Sequence, residues 1–102
     1  MKHSYVMLTL FAVVALMASV AQAESRGEQI FKQKCTMCHV VKGKGGTIGP
    51  DLTRIASTMR ESDLKTQLEN PKKKNPSSSM PSFKPLPKAD MDALMGYLKT
   101  LK

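Results

Sequence analysis

The sequence predicts an all-α fold of three to four short helices, held together by more than its own side chains. Three observations carry that prediction. Apolar residues recur at spacings of three and four near the C-terminus, and no stretch alternates as a strand would. After residue 23 only 14 of 79 residues are Leu, Ile, Val or Phe, below the level of about one-fifth that signals disorder at high charge. The charge is high, with 15 Lys and Arg against 8 Asp and Glu after residue 23. A chain this short buries little surface and normally needs a disulfide, a metal or another staple. A multidomain enzyme is excluded, and an unaided hydrophobic core is not expected.

The first segment stands apart. Lys2 and His3 precede a nearly unbroken apolar run from Val6 to Ala21, closing on Ala21-Gln22-Ala23 before Glu24. Charged start, apolar centre and small-residue exit form a secretory signal peptide, with cleavage expected after Ala23. The alternative is an uncleaved anchor, but a membrane span needs about 20 apolar residues and this run is shorter. Residues 1–23 are therefore the signal peptide and 24–102 the working domain. In a bacterium the product is expected in the periplasm, where Cys pairs can oxidise.

In the working domain, Ser25-Arg26-Gly27-Glu28 has capping-box spacing. It opens a helix that carries Ile30 and Phe31 and ends near Cys35. Gly43, Gly45, Gly46, Gly49 and Pro50 make residues 40–50 a loop. Leu52, Ile55, Ala56 and Met59 give a short helix. Ser62 caps another, with Leu64 and Leu68, stopped by Asn70-Pro71. Pro71 to Pro87 holds five prolines and runs of three lysines and three serines. Met91, Leu94, Met95, Leu98 and Leu101 mark the last helix. Irregular segments that long are normally functional or disordered, so something must hold them down.

Cys35-Thr36-Met37-Cys38-His39 supplies it. C-x-x-C-H is the attachment signature for c-type haem. Two cysteines three apart on one turn reach two vinyl groups on one porphyrin edge, and His39 then projects toward the iron. A thioredoxin-type pair expects a βαβ setting, a zinc site needs four ligands, and a disulfide this short stabilises little. One covalent haem c, joined through two thioethers, is the expected cofactor.

His39 is the sole histidine after residue 23, so a bis-histidine haem within one chain is excluded. Met/His ligation is the pattern that raises a haem's potential. Met37 lies inside the motif and cannot reach the opposite face, while Met59, Met91 and Met95 sit on helical stripes as core filler. Met80 stands before Pro81, which restricts it toward extended conformations. A methionine expected to be exposed in a polar loop has no packing reason to be there, whereas a ligand has one. Cofactor-binding residues are thus Cys35, Cys38, His39 and Met80, with His39 and Met80 as iron ligands.

These features together resemble the class I c-type cytochromes, in particular the small bacterial monohaem ones. The resemblance spans residues 25–102 and rests on Cys35-x-x-Cys38-His39, Gly49-Pro50-Asp51-Leu52, Met80-Pro81, and the final helix with Leu94 and Tyr97. It implies a cytochrome c-like fold wrapped around the haem, with the Pro50 carbonyl accepting a hydrogen bond from the His39 imidazole. It also implies that the first and last helices cross, bringing Gly27 and Phe31 against Leu94 and Tyr97; a plain cap role for Gly27 is the alternative. The chain has no tryptophan, which leaves the inner propionate without an assigned partner.

Lys72, Lys73, Lys74, Lys84 and Lys88 bracket Met80, and Lys42 and Lys44 follow the attachment motif. Around a haem edge they would steer an acidic redox protein; as a solvated face they would do nothing. Export and the absence of interleaved aromatics argue against nucleic acid despite a pI of about 9.7. The expected function is periplasmic one-electron transfer by a monomer that does not span the membrane and is not an enzyme. Two other readings are a haem subunit of a larger oxidoreductase and a gas-binding or catalytic haem protein with a displaceable Met80. The latter would want a distal His, Arg or acid, and none can be singled out.

Overall fold

The computed structural model describes residues 24–102; the predicted signal peptide lies outside them. The elements run α1 (Arg26–Lys34), β1 (Val40–Val41), β2 (Lys44–Gly45), α2 (Ile55–Thr58), α3 (Glu61–Glu69) and α4 (Lys88–Leu98). The domain is mostly helical, as predicted.

The α1 start follows its sequence signal. Ser25 is extended, and its hydroxyl accepts from the Glu28 amide at 3.1 Å. Glu28 in the first turn and Lys32 and Lys34 in the last complement the helix dipole. Ile30 and Phe31 are buried on the face that meets α4. Gly27 sits at that crossing: a Cβ there would lie 2.7 Å from the Ala93 carbonyl carbon and 2.8 Å from Tyr97 Cβ. Close approach is its role, and the Phe31 and Tyr97 rings pack beside it with centroids 5.3 Å apart. Arg26 pairs with Asp90 across the same crossing.

Three expectations need correction. Residues 40–45 are not all loop: Val40 pairs with Gly45 and Val41 with Lys44 in a small antiparallel ladder. Two β-branched residues pair across a tight turn at Lys42 (φ 51°) and Gly43 (φ 77°), the positive-φ pair that short hairpins use. Next, α3 begins before Ser62, with Arg60 as N-cap and no side-chain cap bond. Acidic Glu61 and Asp63 in the first turn supply the favourable charge instead, and Arg60 Nε bonds Asp63 at 3.1 Å. Finally, α4 ends at Leu98. Leu101 is buried beyond it, and its carbonyl accepts from the Ala56 amide at 2.8 Å, pinning α2 to the C-terminal turn.

The core joins Ile30 and Phe31 of α1 and its C-cap Cys35 to Val41, Leu64, Leu68, Met91, Leu94, Met95, Leu98 and Leu101. Leu52, Ile55, Met59, Met80, Phe83, Leu86, Ala93 and Tyr97 pack against it, partly buried. Both loop segments therefore border one apolar cluster.

Candidate haem site

Past α1 the chain keeps turning through the attachment motif. The Cys38 and His39 amides both donate to the Cys35 carbonyl, at 3.2 and 3.0 Å. The glycine-rich segment then folds back along it, with the Gly46 amide on the Thr36 carbonyl and the Gly49 amide on the Cys38 carbonyl. Both thiols and the imidazole are thereby carried on one short turn.

His39 Nδ1 lies 2.8 Å from the Pro50 carbonyl oxygen. A carbonyl only accepts, so Nδ1 carries the proton and Nε2 presents its lone pair, the orientation a metal-bound imidazole needs. The ring rests on backbone: a Cβ at Gly49 would lie 2.5 Å from His39 Cε1 and 2.8 Å from Nδ1. The segment that follows Pro50 is tied to β1 and the turn after it. The Leu52 amide donates to the Val40 carbonyl at 2.8 Å. Thr53 Oγ1 donates to Asp51 and accepts from the Lys42 amide. Bonds from Thr53 hold the Asp51 carboxyl below its usual range. Asp51 stood in the sequence only as part of the Gly49-Pro50-Asp51-Leu52 motif, and its bonds with Thr53 had no signal beyond the position just after Gly49-Pro50.

Cys35 is buried, Cys38 half-buried, and neither is in a disulfide. Burial pushes the Cys35 thiol up to about 11, opposite to the lowered value that redox-active C-x-x-C pairs use. Among the described residues no group of three or more His, Cys, Asp or Glu gathers as a metal cluster. Two free thiols beside an imidazole with an available Nε2 form the donor set of a covalently attached haem.

Met80 is not the solvent-standing residue its polar surroundings suggest. It is half-buried at the core edge, with its Sδ 3.8 Å from Gln67 Nε2. Met91 and Met95 are buried in the core, and Met59 packs partly buried against it. Gln67 was missed because its contact depends on the path of a loop 13 residues on.

The basic residues are unevenly paired. Lys74 bonds Asp63, Lys88 bonds Asp92 and Lys99 bonds Glu61. Lys42, Lys44, Lys72, Lys73 and Lys84 have no ion-pair partner among the described residues.

A small helical domain with two thiols and one oriented imidazole on a single turn defines a covalent-haem protein. Residues 24–102 match the family model Cytochrome c, and the chain belongs to that family. It is 38% identical over 97 residues to "Cytochrome c" of Chlamydomonas reinhardtii, covering 74% of this chain and 86% of that one. It is 34% identical over 76 residues to "Cytochrome c-553-like" of Synechocystis, covering 74% and 67%. A third relative, "Cytochrome c oxidase subunit 2" of Alkalihalophilus pseudofirmus, is 31% identical over 87 residues, 76% of this chain but only 25% of that protein. The cofactor of this family is covalently bound haem c with its iron, and Cys35 and Cys38 are both present as free thiols. As a cytochrome c domain the chain is a haem-based electron carrier that works with redox partners. No helix among the described residues is long and apolar enough to cross a membrane.

Proposed function

We propose that residues 24–102 form a diffusible periplasmic one-electron carrier whose haem iron is held between His39 Nε2 and Met80 Sδ. The observation that carries this reading is the His39–Pro50 bond, which commits the sole imidazole after residue 23 to one ligand atom. The opposite position then falls to another side chain, and Met80, at the core edge in a proline-stiffened loop, is the residue available. When bound, the haem supplies a one-electron couple. His39 and Met80 would hold the iron, Cys35 and Cys38 would hold the porphyrin, and with both ligands in place the group would supply electron transfer rather than bond chemistry. No enzymatic step is assigned.

The signal-peptide pattern supports export, with the mature chain starting at Glu24. The unpaired lysines flank both the attachment motif and the Met80 loop, a distribution that suits a brief encounter with an acidic protein by a monomer. A second reading has one observation behind it: the match to part of an oxidase subunit suits the same domain working as the haem unit of a larger oxidoreductase.

The test is potentiometric and ligand-binding together. The purified holoprotein should titrate as one reversible one-electron wave, and its reduced form should not bind carbon monoxide at neutral pH. Ready carbon monoxide binding would show an open iron and favour the gas-binding reading.

A further inference from the structure

The C-terminal turn of α3 and the loop after Met80 complete each other's hydrogen bonds. The last carbonyls of any helix lack intrahelical donors. In α3 the Thr66 carbonyl is served locally, by the Asn70 amide. Two of the carbonyls beyond it are served from the loop: the Leu68 carbonyl accepts from the Phe83 amide at 2.8 Å, and the Glu69 carbonyl accepts from the Ser82 hydroxyl at 2.5 Å. Ser82 Oγ in turn accepts from the Lys84 amide at 3.2 Å. Pro81 and Pro85 contribute no N–H, so the Ser82 hydroxyl and the Phe83 amide are the donors this stretch offers the helix end. On the same turn, Gln67 Nε2 donates to Met80 Sδ at 3.8 Å.

We infer that Gln67 and Ser82 are positioning residues that set how readily Met80 leaves the iron. The inference rests on Met80 being the distal ligand. Ser82 fixes the loop to α3, and Gln67 on the same turn points an amide at the sulfur that α3 and the loop bring together. Methionine leaves the iron only if the loop swings, and swinging breaks these bonds. Their strength therefore enters the equilibrium between Met-bound iron and iron open to an external ligand.

The experiment is titration of the oxidised holoprotein with imidazole, followed through the far-red sulfur-to-iron band. An ordinary hydrogen bond is worth a factor of about 2–13 in an equilibrium. Ser82→Ala and Gln67→Leu should each tighten imidazole binding by about three- to tenfold. Ser82→Thr, which keeps the hydroxyl, should restore the native affinity. Ser77→Ala should leave it unchanged, because Ser77 bonds only Asn75 in the same loop. Of these variants, Gln67→Leu should also move the position of the band, since Gln67 donates the hydrogen bond to the sulfur. A merely structural role would lower the melting temperature without moving either readout. If Met80→Ala abolishes the band while Ser82→Ala and Gln67→Leu bind imidazole within twofold of wild type, this inference is overturned and the ligand assignment stands. If Met80→Ala keeps the band, the ligand assignment fails and this inference fails with it.

Discussion

Adding one methyl group at Gly27 tests the packing on which the whole domain depends. The α1–α4 crossing leaves no room for it: the Ala93 carbonyl carbon and Tyr97 Cβ stand 2.7 and 2.8 Å from the site of a Cβ. Carbon–carbon contacts settle at about 3.5–4.0 Å, so the crossing must open by about 1 Å. Overpacking of this kind costs about 1–3 kcal/mol. Disturbing the adjacent Phe31–Tyr97 ring pair adds about 0.5–1.5 kcal/mol. Against this stands a helix-propensity gain for Ala over Gly of up to about 1 kcal/mol. The net for Gly27→Ala, with the full propensity gain subtracted, is about 0.5–3.5 kcal/mol of lost stability, or roughly 2–28 °C in the melting midpoint of a domain this size. Gly96 is the internal control, since it lies on α4 with nothing within 4 Å of its would-be Cβ. Gly96→Ala should raise the midpoint by a few degrees through propensity alone. Thermal melts of the holoproteins by circular dichroism decide. A Gly27→Ala midpoint at or above wild type would refute the close-approach reasoning, as would an equal fall in Gly96→Ala.

The remaining predictions concern the cofactor, the surface and pH. Replacing Cys35 and Cys38 together by Ala should give a largely unstructured chain by circular dichroism, because the buried cluster is thin without porphyrin; a cooperative helical melt would contradict this. Charge reversal at Lys73 or Lys84 should slow electron transfer to an anionic partner more than reversal at Lys99 or Lys102. The difference should shrink at high salt, where the Debye length falls from about 10 Å at 0.1 M toward 3 Å at 1 M; equal slowing at all four positions would mean that only net charge matters. The Asp63 carboxyl is held below its ordinary range, first by the Arg60 side-chain bond and then by the Lys74 one. A depressed folded pKa adds stability above the unfolded value, and that stability is lost as pH falls through the folded value. Asp63→Asn should therefore flatten the acid limb of stability below about pH 4; an unchanged limb would show the pairs contribute nothing.

Much of the site was legible because its chemistry dictates spacing. C-x-x-C-H must place three groups on one turn, and Ser25, Ile30 and Phe31 announced α1 by cap and period. The Met91–Leu98 stripe was equally plain. The ladder at Val40–Gly45 was not, since two-residue strands are too short to show a period of two. Arg60 as N-cap was hidden by Ser62, a better cap on paper, because acidic first-turn charge serves the same end. Gln67 and Ser82 looked like ordinary polar residues. Their roles arise only once the loop path brings positions 13 apart together, as in Gln67–Met80 and Glu69–Ser82.

The central claim is that one haem c sits between His39 and Met80. The most direct measurement is the far-red charge-transfer band of the oxidised holoprotein, compared among wild type, Met80→Ala, Met59→Ala and Met95→Ala. The band should be present in wild type, survive in the Met59 and Met95 variants, and vanish in Met80→Ala with a lowered reduction potential. A band that persists in Met80→Ala, or disappears in Met59→Ala, would contradict the assignment.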